Sequence, residues 1–318
     1  MAPSQTKRRT MVNSTHVTHF TLTAYFDSGL LKYLYSVILA TLYVSIIAAN
    51  VLLIVVICVN RSLHEPMYIF LCSLSVIQLY GSTGLFPFLV VQILSENHDV
   101  PTSVCFLQIF CLHSYGLVEV FILSAMSYDR YVAICHPLQY HTRMTRYRTT
   151  TLIAVLWFYG FFACSVMVSL SSSLQLCGNI INKVYCDNYP VVKLACSDTT
   201  ALNIYGLIIS FINVFSPLAF IVYTYMRILK VCFSGSKQTR LKAVSTCTPH
   251  IASLLNFILG ASFEIVQSRF NMNHVPNVLR IFLSLYFITC QPLFNPLMYG
   301  LNILQIRMLC KRLLCGKM

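Results

Sequence analysis

The stretch Met126–Pro137, MSYDRYVAICHP, decides how the rest of the chain is read. It closes a long apolar run and sets Asp129 beside Arg130 where a helix would leave a bilayer. Ionisable residues at that depth are expensive and persist where they pair or act. The plainer reading is a basic side chain snorkelling to the interface beside an unrelated acid. The rest of the sequence weighs one against the other.

Of 318 residues, 57% are hydrophobic and 10% are charged. A soluble domain carries about a quarter charged residues, so the medium around most of this chain is lipid. Formal net charge is +13, from 22 Lys+Arg against 9 Asp+Glu. The basic residues lie in short loops between apolar runs rather than on one polar face, which excludes a nucleic-acid partner and points to membrane topology. Most of the 14 cysteines sit inside apolar runs, as small hydrophobes do, and no C-x-x-C pair suggests structural zinc. No cofactor is implied, and there is no internal repeat. Lys7, Arg8 and Arg9 precede no signal-type apolar core before Asp27, so the first apolar span is expected to direct insertion.

Seven segments reach the ~20 residues that cross a bilayer. They lie near 33–59, 67–93, 104–135, 149–173, 200–231, 242–267 and 277–300. Arg61, the group Arg143, Arg146 and Arg148, the run Arg227, Lys230, Lys237, Arg240 and Lys242, and the tail residues Arg307, Lys311, Arg312 and Lys317 all fall on one side. Opposite them, 94–103 has no Lys or Arg and 174–199 has Lys183 and Lys193 alone. The basic side is cytoplasmic by this rule, which places the N-terminus outside. Lys7, Arg8, Arg9 and Lys32 weigh the other way, and the summed loops decide. The reading divides the chain into an extracellular 1–32, a seven-span domain 33–300 and a cytoplasmic 301–318.

Cys105, Cys177, Cys186 and Cys196 all fall on the outer side, where disulfides persist. Four cysteines allow three pairings, and spacing does not choose among them. Asn13-Ser14-Thr15 is an N-glycosylation acceptor on the outer segment, while the matching Asn60-Arg61-Ser62 falls in an inner loop. Residues 301–318 interleave Ile303, Leu304, Ile306, Leu309 and Leu313 with Arg307, Lys311 and Arg312, the pattern of an amphipathic helix on the inner leaflet. Cys310 and Cys315 there are candidate palmitoylation sites or plain thiols.

Seven spans, a cysteine opening the third and Asp-Arg-Tyr closing it resemble the rhodopsin-like G-protein-coupled receptors. Trp157 in span four, Pro217 and Tyr225 in span five, and Asn295-Pro296-Leu297-Met298-Tyr299 ending span seven agree in order. LHEPMYIFLCSLS (63–75), MSYDRYVAICHPLQYHTRMT (126–145), YCDNYPVVKLACSDT (185–199), KAVSTCTPHI (242–251) and PLFNPLMYGLN (292–302) look like odorant-receptor signatures spread over nearly the whole chain. The resemblance implies an all-α membrane protein, a seven-transmembrane helix bundle with a short amphipathic C-terminal helix. It implies a plasma-membrane receptor, not an enzyme, whose partners are a small-molecule odorant, a heterotrimeric G protein and membrane lipid.

Residue by residue, the resemblance implies that Asp129 holds Arg130 at rest, in the motif completed by Tyr131. Tyr225 and Tyr299 would meet Arg130 through water once the helices open, and Lys242 and His250 would belong to the inner end of the moving sixth helix. Asn295 and Pro296 complete the coupling set. Pro217 and Pro296 each remove a helix hydrogen bond and supply a place to bend. Family pairing joins Cys105–Cys186 and Cys177–Cys196. The implied ligand contacts are His113, Ser114, Leu117, Ile209, Ser210, Asn213, Ile258, Ala261, Ser262, Ile265 and Leu285, a mostly apolar set with a few hydrogen-bonding groups. His113 reads either as a ligand contact or as a satisfied polar residue between helices. Glu264 and Arg280, near the outer ends of spans six and seven, are expected to pair with each other.

The chain departs from the family at two places. Gln78 stands where an acid is usual in span two, leaving Glu119 in span three as one carboxylate instead of two and arguing against a sodium site. Glu119 is expected to hydrogen-bond Gln78. In span six Phe257-Ile258-Leu259-Gly260 replaces a Phe-Tyr-Gly run, so the floor of the pocket lacks a hydroxyl. The alternative within the class is a non-olfactory rhodopsin-like receptor for an endogenous small molecule. A transporter would show repeats or paired broken helices with mid-membrane charges. An intramembrane enzyme would need a nucleophile with its base or a motif such as His-Glu-x-x-His. None of these is present.

Overall fold

A chain this apolar has to satisfy its backbone hydrogen bonds internally, and in lipid the helix does that segment by segment. The structure, a computed structural model, describes residues 17–25, 29–234, 237–269 and 275–314. Asn13 and Cys315 lie outside the described residues, as does the side chain of Lys242. In chain order the elements are β1 (His19–Leu22), α1 (Leu31–Val59), α2 (Pro66–Leu94), β2 (Asp99–Pro101), α3 (Thr102–Cys135), α4 (Tyr140–Arg143), α5 (Arg146–Ser172), β3 (Ile180–Ile181), α6 (Asn188–Lys193), α7 (Thr200–Ser234), α8 (Lys237–Arg269), α9 (Asn277–Asn302) and α10 (Leu304–Leu314). Seven of them, α1, α2, α3, α5, α7, α8 and α9, contain a segment long and apolar enough to cross a membrane.

Local chemistry sets the helix ends. Pro66 opens α2, where its missing N–H is no loss. Thr145 caps α5 by accepting the backbone N–H of Arg148 at 3.3 Å. α3 stops at His136, the residue before Pro137, whose ring disfavours helical backbone there. Pro217 lies inside α7, and Pro292 and Pro296 lie inside α9. The carbonyl of Pro292 would ordinarily serve the N–H four residues on, which Pro296 lacks. Asn50 of α1 supplies the donor instead, its Nδ2 lying 2.8 Å from Pro292 O.

The dry core lies among α1, α2, α3 and α9, around Tyr115, Tyr299, Phe70, Leu71 and Leu74, all essentially without exposed surface. α5 and α7 bury few residues and turn Phe158, Phe162, Phe211 and Phe215 outward, as lipid-facing helices do. Close approach fixes two helix pairs. Gly81 of α2 faces the Tyr115 ring, and Gly160 of α5 faces Val118. Trp157 Nε1 donates to Ser73 Oγ at 2.9 Å and joins α5 to α2.

The disulfide-bearing end carries a feature that the reading of residues 1–32 as an extracellular segment did not contain. Residues 19–22 form the centre of a three-stranded sheet, antiparallel to β2 and parallel to β3. Phe20 and Leu22 are buried beneath it against Val100, Ile109, Ile181 and Val191. Both expected disulfides are formed, Cys105–Cys186 tying the loop to the start of α3 and Cys177–Cys196 closing the loop on itself.

Candidate functional site

At one end of the bundle, the Asp129 carboxylate is fully enclosed and pairs with the Arg130 guanidinium. Tyr140, on the short α4, donates to the other carboxylate oxygen at 2.8 Å. Asp129 is thus held on both oxygens, and Arg130 is turned back along its own helix. The Tyr131 hydroxyl lies 3.0 Å from His136 Nε2.

About two turns further along α3, at Leu123, His250 of α8 joins three helices. Its Nε2 lies 3.0 Å from the Leu123 carbonyl of α3, which can only accept, so this nitrogen carries a proton. In the neutral ring Nδ1 then accepts from the Tyr225 hydroxyl of α7. Ile228, Cys232 and Cys247 pack below this contact. Tyr299 is fully buried.

In mid-bundle, Asn295 is the hub of a polar network. It accepts from Ser253 of α8 at 2.5 Å and donates to Glu119 of α3 at 3.2 Å and to Gln291 at 3.0 Å. Gln78 donates to the same Glu119 oxygen at 3.1 Å, the contact expected from the sequence. Two amide N–H groups converge on Glu119 Oε1, and N–H donors repel a cation where a sodium site needs oxygens. Gln78 Oε1 lies buried beside this carboxylate without a hydrogen-bond partner. Among the described residues no group of three or more His, Cys, Asp or Glu side chains is placed to hold a metal.

The expected ligand residues do not all face one space. Ser114 is buried, donates to Phe110 O at 2.7 Å and meets Tyr80 of α2 at 3.1 Å, so it sits between α3 and α2. Asn213 accepts from Tyr159 of α5 at 2.7 Å. Leu117, Ala261 and Leu285 are half-buried against the core. Ile209, Ser210, Ile258, Ser262 and Ile265 are exposed on α7 and α8. The two helices meet near Tyr225 and His250 but pack little elsewhere, since α7 leans on α3 and α8 on α9. His113 bonds Ile109 O at 3.0 Å and keeps its side chain 35% exposed, with Nε2 3.6 Å from Asp187. A groove of about 440 Å³ lies elsewhere, between α2 and α5 beside Trp157, and none of these residues lines it.

The expected Glu264–Arg280 pair is not formed. The loop after β3 dips between α8 and α9, so Lys183 reaches Glu264 at 2.5 Å and Asp187 at 2.7 Å. Arg280 donates instead to Asn182 Oδ1 at 3.1 Å. Burial opposes the charge on Asp187, but Lys183 and His113 more than offset it and hold its carboxyl below the usual range. Burial likewise disfavours the Lys183 ammonium, and Asp187 and Glu264 together raise its pKa above the ordinary value. Lys183 and Asp187 were not among the expected site residues. Their four-residue spacing in a loop between two cysteines was the available signal.

A family model described as olfactory receptor matches residues 39–317. The chain is 32% identical to human olfactory receptor 11A1 over 95% of each chain. It is 35% identical to human olfactory receptor 10A6 over 82% of this chain and 83% of the relative. Mouse olfactory receptor 8U3 is 32% identical, again over 95% of each chain. With seven membrane-crossing helices, two disulfides and an enclosed Asp129–Arg130 pair already in place, the chain belongs to the olfactory receptor family, receptors of the plasma membrane rather than enzymes.

Proposed function

We propose that this receptor binds a small odorant from the extracellular side, with its N-terminus outside, and activates a heterotrimeric G protein of the stimulatory olfactory type that raises cyclic AMP. The observation that carries the reading is Arg130, held by an enclosed Asp129 beneath a His250 bridge that ties the sixth span to the third. A ligand shifts such an equilibrium only by binding one state better than the other. Contacts from His113, Leu117, Ile258, Ala261 and Leu285 favour the state in which the sixth span swings away, His250 leaves Leu123, and Arg130 turns to the G protein. Pro217 and Pro296 provide the bends. Asn13 carries a glycan on the outer segment, and Lys242 belongs to the G-protein face. In cells, Arg130→Ala reaches the surface and gives no odorant-driven cyclic AMP. Full output from that variant refutes the role given to Arg130.

A further inference from the structure

The groove of about 440 Å³ between α2 and α5 has the size of a small-molecule site and opens sideways, where Val76 and Ala154 are exposed. Ile69, Val76, Ile153 and Ala154 give it apolar walls, and Trp157 lies at its far end. The two hydroxyls of the lining are already used. Ser73 Oγ accepts from Trp157 Nε1 at 2.9 Å, and Thr150 donates to the carbonyls of Arg146 at 3.1 Å and Tyr147 at 3.0 Å. What fills the groove is therefore apolar along its length, and beside lipid that is a hydrocarbon chain.

The mouth of the groove selects the chain's head group. The lining runs from Ile69 to Val76 on α2 and from Thr150 to Trp157 on α5. Each stretch rises about 10 Å, within one leaflet's share of the ~30 Å hydrocarbon core. Both stretches begin about one turn inside their helix starts, at Pro66 and Arg146, so the mouth lies at one membrane surface. Arg146 is one turn before Thr150 on α5, and its Nε donates at 3.0 Å to the carbonyl of His64, just ahead of α2. The guanidinium thus spans the two helix starts. Arg143 and Arg148 are exposed on the same turn, and none of the three arginines forms an ion pair among the described residues. One exposed acid, Glu65 at the cap of α2, stands against three guanidiniums.

We propose that the α2–α5 groove binds an anionic phospholipid, with one acyl chain lying against Trp157 and the phosphate on Arg146. A guanidinium takes a phosphate through two N–H groups at once, and basic pockets between helices on the cytoplasmic side hold acidic lipid head groups. In the orientation proposed above the mouth faces the cytoplasmic leaflet, the anionic one. The bound lipid clips α5, which buries few residues of its own, to α2.

Trp157 is the chain's single tryptophan and lines the groove, so its fluorescence reports what lies there. The test reconstitutes the full-length receptor in phosphatidylcholine bilayers containing phosphatidylserine, phosphatidylcholine or a sterol carrying bromine on its apolar part, because bromine quenches tryptophan on contact. Brominated phosphatidylserine quenches Trp157 at a mole fraction about fivefold or more below that of brominated phosphatidylcholine, the preference that one arginine near the surface gives. Arg146→Gln brings the two curves together, and Arg146→Lys keeps part of the gap. Ala154→Phe fills the groove from its lipid side and removes the advantage while Arg146 stays in place. Equal curves in the wild type, or an advantage that survives either Arg146→Gln or Ala154→Phe, overturn the proposal. A sterol that quenches at lower mole fraction than phosphatidylserine also overturns it.

Discussion

Arg130 is held by Asp129, the residue immediately before it, and the holding carboxylate is fully enclosed. The restraint on Arg130 is therefore local to the third span and its following turn, since the second hydrogen bond to Asp129 comes from Tyr140. Asp129→Asn raises cyclic AMP in the absence of odorant, and Tyr140→Phe raises it less. A hydrogen bond to a charged group is worth about 1.5–3 kcal/mol, so the population with Arg130 released grows by roughly one to two decades. Basal cyclic AMP per surface receptor is the measurement, and an Asp129→Asn receptor with wild-type basal output contradicts the restraint.

His250 closes the gap among α3, α7 and α8 through both ring nitrogens. His250→Phe keeps the volume and loses both bonds, at about 1 kcal/mol each. The population with α8 released rises by about a decade or more, and basal signalling with it. Tyr225→Phe loses one bond and leaves a buried Nδ1 without its donor, so the rise is smaller. A His250→Phe receptor with normal odorant response and no basal increase shows that the bridge does not restrain α8.

Gly160 lets α5 lie against Val118 of α3, where a Cβ would press into the valine methyl. Gly160→Ala lowers the thermal stability of the detergent-solubilised receptor by about 1–3 kcal/mol, the range for overpacked cores. Adding Val118→Ala makes room and recovers part of the loss, because the two sites are in contact. Equal and additive losses contradict direct packing.

The mid-bundle network predicts indifference to sodium. Gln78 and Asn295 both aim N–H groups at Glu119. Exchanging sodium for choline in the medium leaves odorant potency of the wild type unchanged. Gln78→Asp supplies a second carboxylate and makes potency sodium-dependent. A sodium effect in the wild type that Glu119→Gln abolishes refutes the assignment.

The seven helices were legible because spans of 20 or more apolar residues admit few alternatives in lipid. The Asp129–Arg130 contact was legible for a different reason, as its partners are adjacent in the chain. The strand at His19–Leu22 was not legible, since Phe20 and Leu22 become buried only when strands from 99–101 and 180–181 arrive beside them. The Glu264–Arg280 expectation failed on the same kind of information. Sequence places both at the outer ends of their helices, but which loop residue dips between them is a tertiary matter, and Lys183 arrives first. Helix rotation likewise turned Ser114 toward Tyr80 and Asn213 toward Tyr159. Apolar periodicity is a poor guide to rotation when lipid accepts every face of a helix.

The most direct test of the central claim is cyclic AMP in cells expressing this chain with an olfactory-type G protein, challenged with odorant pools while surface display is recorded. The account predicts a pool that raises cyclic AMP in the wild type and fails in an equally displayed His113→Ala variant. A well-displayed wild-type receptor that answers no pool, or a His113→Ala variant that responds like the wild type, contradicts it.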